Sequence, residues 1–120
     1  MSDVTQETIV LIVDDQEDVA DVYKLYLEES YEVQVEYGGK DALETIDESV
    51  DVVLLDRRMP DLPGDVVLQK IREQGFECRV IVISAVDPDE QGMIPSDEYL
   101  EKPVFKEELH EAIESQLGHA

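Results

Sequence analysis

Apolar residues along this chain change period repeatedly. Residues 8–13 (TIVLIV) form a continuous apolar strand, and Val19, Val22, Tyr23, Tyr26 and Leu27 then recur at helical spacing through about Glu29. Residues 32–37 (EVQVEY) alternate like an edge strand and lead to a short helix carrying Ala42, Leu43 and Ile46. Residues 51–55 (DVVLL) are the next buried strand, with Val67, Leu68 and Ile71 marking the helix after Gly64. Residues 79–84 (RVIVIS) make a fourth strand and residues 97–101 a short fifth, and Leu109, Ala112, Ile113 and Leu117 stripe a last helix. Between Val86 and Asp97, the run DPDEQGMIPS holds Pro88, Gly92 and Pro95 and cannot make a long regular helix. The helix of the fourth unit is therefore expected to be shortened or irregular.

The order is a strand followed by a helix, five times. Three of the strands are apolar on both faces, which calls for a parallel sheet covered on both sides and joined by right-handed crossovers. A doubly wound, flavodoxin-like α/β fold with strand order 2-1-3-4-5 is the expectation, and it sets the C-terminal ends of strands 1 and 3 side by side. With 120 residues, one domain over residues 1–120 is expected.

Polar residues stand where those strands end: Asp14 and Asp15 after the first, Asp56 after the third, Ser84 after the fourth and Lys102 after the fifth. Two unit charges about 4 Å apart repel by roughly 4 kcal/mol at an effective dielectric of 20. Three carboxylates on one rim therefore call for positive charge. Mg²⁺, which takes one or two carboxylates, a carbonyl and several waters and commonly carries phosphate oxygens, meets that need. With the metal and Lys102 screening it, Asp56 could attack phosphorus and hold an aspartyl phosphate, while Ser84 and Lys102 bond phosphoryl oxygens.

Charge and composition narrow the alternatives. Against 9 Lys and Arg stand 31 Asp and Glu, a net charge of -22 spread along the whole chain, while apolar residues still make up 42%. An acidic shell of this kind repels nucleic acid and anionic membrane, so direct contact with either is not expected. It also suits a halophilic protein, because molar salt screens the self-repulsion. A lone Cys78, no signal-type segment and no span of bilayer length point to the cytoplasm. His110 and His119 lack the ligand spacing of a zinc site. Two acids after the first strand argue against a flavin carrier, and the chain has no spare length for the cap of a phosphohydrolase.

The pair Asp14-Asp15, the run Asp56-x-x-Met59-Pro60 with Gly64 beyond, Ser84-Ala85, and Tyr99-x-x-Lys102-Pro103 together resemble the receiver domain of two-component response regulators. The likeness covers nearly the whole chain. The acidic composition and the segment AVDP after Ser84 are similar to haloarchaeal receivers often paired with a HalX domain. The resemblance implies a signalling phosphoacceptor and not a metabolic enzyme, catalysing only its own phosphorylation and dephosphorylation. Asp56 would take a phosphoryl group from a histidine kinase. Asp15 would bind Mg²⁺ directly and Asp14 mainly through water, with Asp56 and the backbone carbonyl of Arg58 completing the protein's share of the metal shell. Ser84 and Lys102 would contact the phosphoryl group, and Ser84 and Tyr99 would form the switch that alters a protein-interaction surface. An output domain or partner protein would read that surface, with a phosphorylation-dependent homodimer as one form of it.

Blander readings stand beside these. Asp15 could cap the first helix, with Asp18 three residues on; Tyr99 could be half-buried packing; and Gly38-Gly39 reads as the turn into the second helix. Arg58 departs from the family pattern by placing a cation near the mouth of the site. The main competing function is a receiver-like interaction module that no longer needs phosphate.

Overall fold

The computed structural model describes residues 8–85 and 96–118. Five parallel strands form one sheet in the order β2-β1-β3-β4-β5: β1 (Ile9–Val13), β2 (Glu32–Glu36), β3 (Val52–Asp56), β4 (Arg79–Ser84) and β5 (Glu98–Glu101). Helices α1 (Glu17–Leu27), α2 (Gly39–Thr45) and α3 (Gly64–Glu73) and a C-terminal helix (Lys106–Leu117) surround it. The expected strand order is the observed one. The shortened or irregular helix expected after β4 falls on residues 86–95, outside the described residues, as does His119.

Strand periodicity explains why the sheet is covered on both sides. Successive residues of a strand point to opposite faces. Val10 and Ile12 of β1, Val52 and Leu54 of β3 and Ile81 and Ile83 of β4 pack with Ala20, Tyr23 and Leu27 of α1 and Leu109 and Ile113 of the C-terminal helix. The residues between them, Leu11, Val13, Val53, Leu55, Val80 and Val82, pack with Ala42 of α2 and Val67, Leu68 and Ile71 of α3. Burial of β3 throughout and of all but the first residue of β1 and β4, at about 25 cal/mol per Å² of apolar surface, is the main stabilising term of such a fold. Cys78 lies buried at the edge of the second core. Among the described residues no helix is long and apolar enough to cross a membrane.

The end of the sheet away from the strand C-termini is held by ionic contacts. Just before β5, Asp97 accepts a hydrogen bond from the Val80 backbone N–H at 2.8 Å and pairs with Arg72 at 3.1 Å and Arg79 at 3.6 Å. Arg72 also donates to the carbonyls of Phe76 and Cys78. His110 on the C-terminal helix donates through Nε2 to the Tyr26 carbonyl at 2.7 Å, a packing role between helices.

Candidate functional site

Two apolar strands end in acids because the sheet holds them there. The main-chain ladder of β1 and β3 runs from Val10 opposite Val52 to Val13 opposite Leu55, so Asp14 and Asp56 follow side by side on one rim. Carboxylate oxygens of Asp14, Asp15 and Asp56 lie within 4.8 Å of one another. Asp14 and Asp56 are buried and Asp15 is half-buried.

Lys102 supplies the local positive charge. Its Nζ stands 3.3 Å from Asp14 Oδ2 and 3.5 Å from Asp56 Oδ1. The lysine is placed by its own backbone, whose N–H donates to the Ser84 carbonyl at 2.8 Å, one step past the β4–β5 ladder. The Lys102–Pro103 peptide is cis. Burial and then the charge of Asp14 push the Asp56 carboxyl up to about 7, against the opposing pull of Lys102. With Lys102 paired to Asp14 and Asp56 and the exposed Arg58 at the cavity, three acids still outnumber two cations, and hard oxygen donors in this number suit a divalent cation such as Mg²⁺.

A small cavity of about 200 Å³ opens over Asp56, lined by Asp15, Gln16, Asp56, Arg58, Ser84, Ala85 and Lys102. The structure therefore gathers at one place Asp14, Asp15, Asp56, Arg58, Ser84 and Lys102, all expected there from the sequence. Arg58 is exposed at the cavity while Ser84 is buried. Tyr99 does not line the cavity; it is half-buried against the α2–α3 side of the core.

One of the blander readings is excluded. Asp15 does not cap α1: the N-cap position is Gln16, without a side-chain cap hydrogen bond. Instead Asp14 Oδ1 accepts the Gln16 N–H at 2.9 Å, because Asp14 turns back on its own loop.

The loop after Asp56 contains two contacts that the sequence did not announce, those of Asp61 and Arg57, and a close approach that explains Gly64. Asp61 reaches across to the start of α2, accepting the N–H groups of Gly39 at 3.2 Å and Lys40 at 3.0 Å. These are orphan donors of a helix N-terminus, so an acid remote in sequence does the work of a cap. Gly64 sits so close to the acceptor strand that a Cβ there would lie 2.5 Å from the Asp56 carbonyl oxygen and 2.8 Å from Arg57 Cα. Arg57, directly after Asp56, is buried and forks onto Asp65 through Nε at 3.0 Å and Nη2 at 3.2 Å. The only trace in the sequence was an Arg eight residues before an Asp.

Residues 10–114 match the family described as response regulator receiver domain. The chain belongs to that family. This receiver domain is 50% identical over 113 residues to a Haloferax volcanii protein named for an inferred role in transcriptional regulation, a match over 92% of this chain and 19% of that one. It is 36% identical to regulatory protein VanR of Enterococcus faecium, over 90% of this chain and 49% of VanR. The chain thus spans half or less of the length of these curated relatives. Among solved structures it is similar to the response regulator TrrA of Thermotoga maritima in complex with Mg²⁺–BeF, with TM-score 0.80 and 28% identity over 91% of this chain and 98% of that one. The haloarchaeal relative fits the halophilic reading of the acidic shell. Receiver domains bind Mg²⁺ at an acidic pocket, and the three-acid cluster here has that character.

Proposed function

We propose that this receiver domain, as a single unit over residues 1–120, accepts a phosphoryl group at Asp56 from the phosphohistidine of a histidine kinase and passes the change on to an output domain or partner protein. The observation that carries the proposal is the position of Asp56: buried at the end of β3, 3.5 Å from Lys102 Nζ, at the floor of a cavity shared with Asp15, Ser84 and Arg58. A carboxylate oxygen of Asp56 attacks phosphorus, the P–N bond breaks, and the imidazole nitrogen leaves with the electron pair and takes up a proton. The product is an aspartyl phosphate.

The residues divide the work. Lys102 offsets charge on Asp56 before transfer and bonds a phosphoryl oxygen after it. Ser84 donates its hydroxyl to another phosphoryl oxygen. Asp14, Asp15, Asp56 and the Arg58 carbonyl would hold Mg²⁺, which when bound would supply charge neutralisation and a template for phosphoryl oxygens. That a similar Thermotoga maritima regulator was solved with Mg²⁺–BeF supports a Mg²⁺ site in this fold. Phosphorylation adds about -1.5 to -2 charges. A rim already carrying three acids must rearrange around that charge, and Ser84 and Tyr99 are the residues proposed to convey the change to the surface.

The test is intact mass after incubation with Mg²⁺ and a small acyl-phosphate donor in molar KCl. The expected result is one phosphate adduct, labile to hydroxylamine and absent both without Mg²⁺ and in Asp56→Asn. A folded wild type that takes no phosphate from either the acyl phosphate or a histidine kinase would overturn the proposal and leave a phosphate-independent interaction module.

A further inference from the structure

Arg57 lies next to the acceptor in the chain, outside its cavity, with its side chain only 5% exposed. A buried guanidinium is stable only when its donors are met. Asp65, on the first turn of α3, takes two of them in a fork, and that alone would make Arg57 a staple for the loop. The third contact goes further. Arg57 Nη1 donates to the Tyr99 hydroxyl at 3.3 Å, and the guanidinium carbon stands 5.9 Å from the centre of the Tyr99 ring. Tyr99 belongs to β5, paired with Val82 of β4, so Arg57 reaches from the end of β3 past the intervening strand. Nothing about closing the Asp56–Gly64 loop requires that reach.

We propose that Arg57 is a positioning residue that ties Tyr99 to the acceptor, so that the state of Asp56 is conveyed to β5 through the guanidinium. The inference rests on the phosphoacceptor reading of Asp56. Asp56 and Arg57 share a planar peptide unit, so a backbone shift at one moves the stem of the other. A dianionic phosphoryl group beside that peptide also attracts the guanidinium. Of the three bonds described, the one to Tyr99 is the longest and the only one to a neutral acceptor, and it yields first. Tyr99 then changes surroundings while the fork onto Asp65 persists.

The test uses the full chain with 3-fluorotyrosine in place of its 5 tyrosines, the Tyr99 resonance being identified by its loss in Tyr99→Phe. Mg²⁺ and beryllofluoride stand in for the phosphoryl group, and the same fluorine spectrum shows bound beryllofluoride directly. In wild type the Tyr99 resonance moves on addition. In Arg57→Met, which keeps the bulk and removes the donors, bound beryllofluoride is still seen but the Tyr99 movement is lost. Asp65→Asn covers the case of an unfolded Arg57→Met: Asp65 is 44% exposed, and loosening the fork displaces the resting Tyr99 resonance without touching Tyr99 itself. A Tyr99 response to beryllofluoride equal to wild type in folded Arg57→Met, or a resting Tyr99 resonance unmoved by Asp65→Asn, overturns the proposal. Absence of bound beryllofluoride in the wild type would overturn the phosphoacceptor reading instead. The tie itself would then be decided by whether Arg57→Met and Asp65→Asn move the resting Tyr99 resonance.

Discussion

Replacing Asp56 by Asn removes a charge that folding confines among other acids, and the effect on stability has a definite sign. The Asp56 carboxyl is raised from 3.8 to about 7, first by burial and then by Asp14. Below about pH 4 it is protonated in both folded and unfolded chains. Between about pH 4 and 7 the unfolded chain releases the proton and the native state keeps it, so stability falls as pH rises through that window and levels off above it. A shift of about three units at about 1.36 kcal/mol each sets a ceiling of about 4 kcal/mol. Molar KCl has a Debye length of about 3 Å but screens buried groups such as Asp14 and Asp56 much less, and burial is the largest cause of the shift, so most of that ceiling stands in salt. The expected outcome is that Asp56→Asn melts above wild type at pH 8 in chelator by up to roughly 16 °C, given about 4 °C per kcal/mol for a domain of this size. The gap closes towards pH 4.5, and Mg²⁺ narrows it at pH 8 by binding the wild-type native state. Thermal melts by circular dichroism across pH 4.5–8.5, with and without Mg²⁺, provide the measurement. A gap that stays constant with pH in chelator would refute the reasoning.

Three other substitutions test the surroundings of the site. Gly64→Ala forces a Cβ against the backbone of Asp56 and Arg57, which has no flexible end to yield; a loss of about 1–3 kcal/mol in denaturant melts is expected, with slower adduct formation at Asp56. Asp61→Ala uncaps α2 and should cost about 0.5–2 kcal/mol, read from the same melts, while leaving the mass of the phosphate adduct unchanged. Arg58→Ala removes an exposed cation from the cavity that holds Asp56 and is expected to change the lifetime of the aspartyl phosphate, followed by intact mass over time; equal decay would show that the cation does not obstruct attacking water.

What was legible in the sequence follows from short-range physics. The central strands announce themselves because parallel strands buried on both faces must be apolar throughout, and the acids at their ends stand out against that background. Strand order followed from the few topologies open to such a repeat, and that order alone places Asp14 beside Asp56. Lys102 was conspicuous because this chain has so few cations. The Arg57–Asp65–Tyr99 contacts and the Asp61 cap were not legible, because each joins residues that only tertiary packing brings together. Tyr99 is 42 residues from Arg57, and Asp61 is 22 from Gly39. Whether Asp15 caps α1 stayed open in the sequence for a local reason: Asp14 and Asp15 are adjacent acids before one helix, and only their side-chain directions decide which meets a backbone N–H.

The contacts of Asp97 give β5 a mechanical character. At its leading end the strand is moored through Val80, Arg72 and Arg79, and at its trailing end Lys102 enters the charged rim. Four residues separate these two regimes, with Tyr99 among them. The strand is paired with β4 along its whole length, so a load at Lys102 would be shared with β4 and would fade towards the moored Asp97. An output surface built on this edge would then register motion near Tyr99 and Lys102 more than at the opposite end of the sheet.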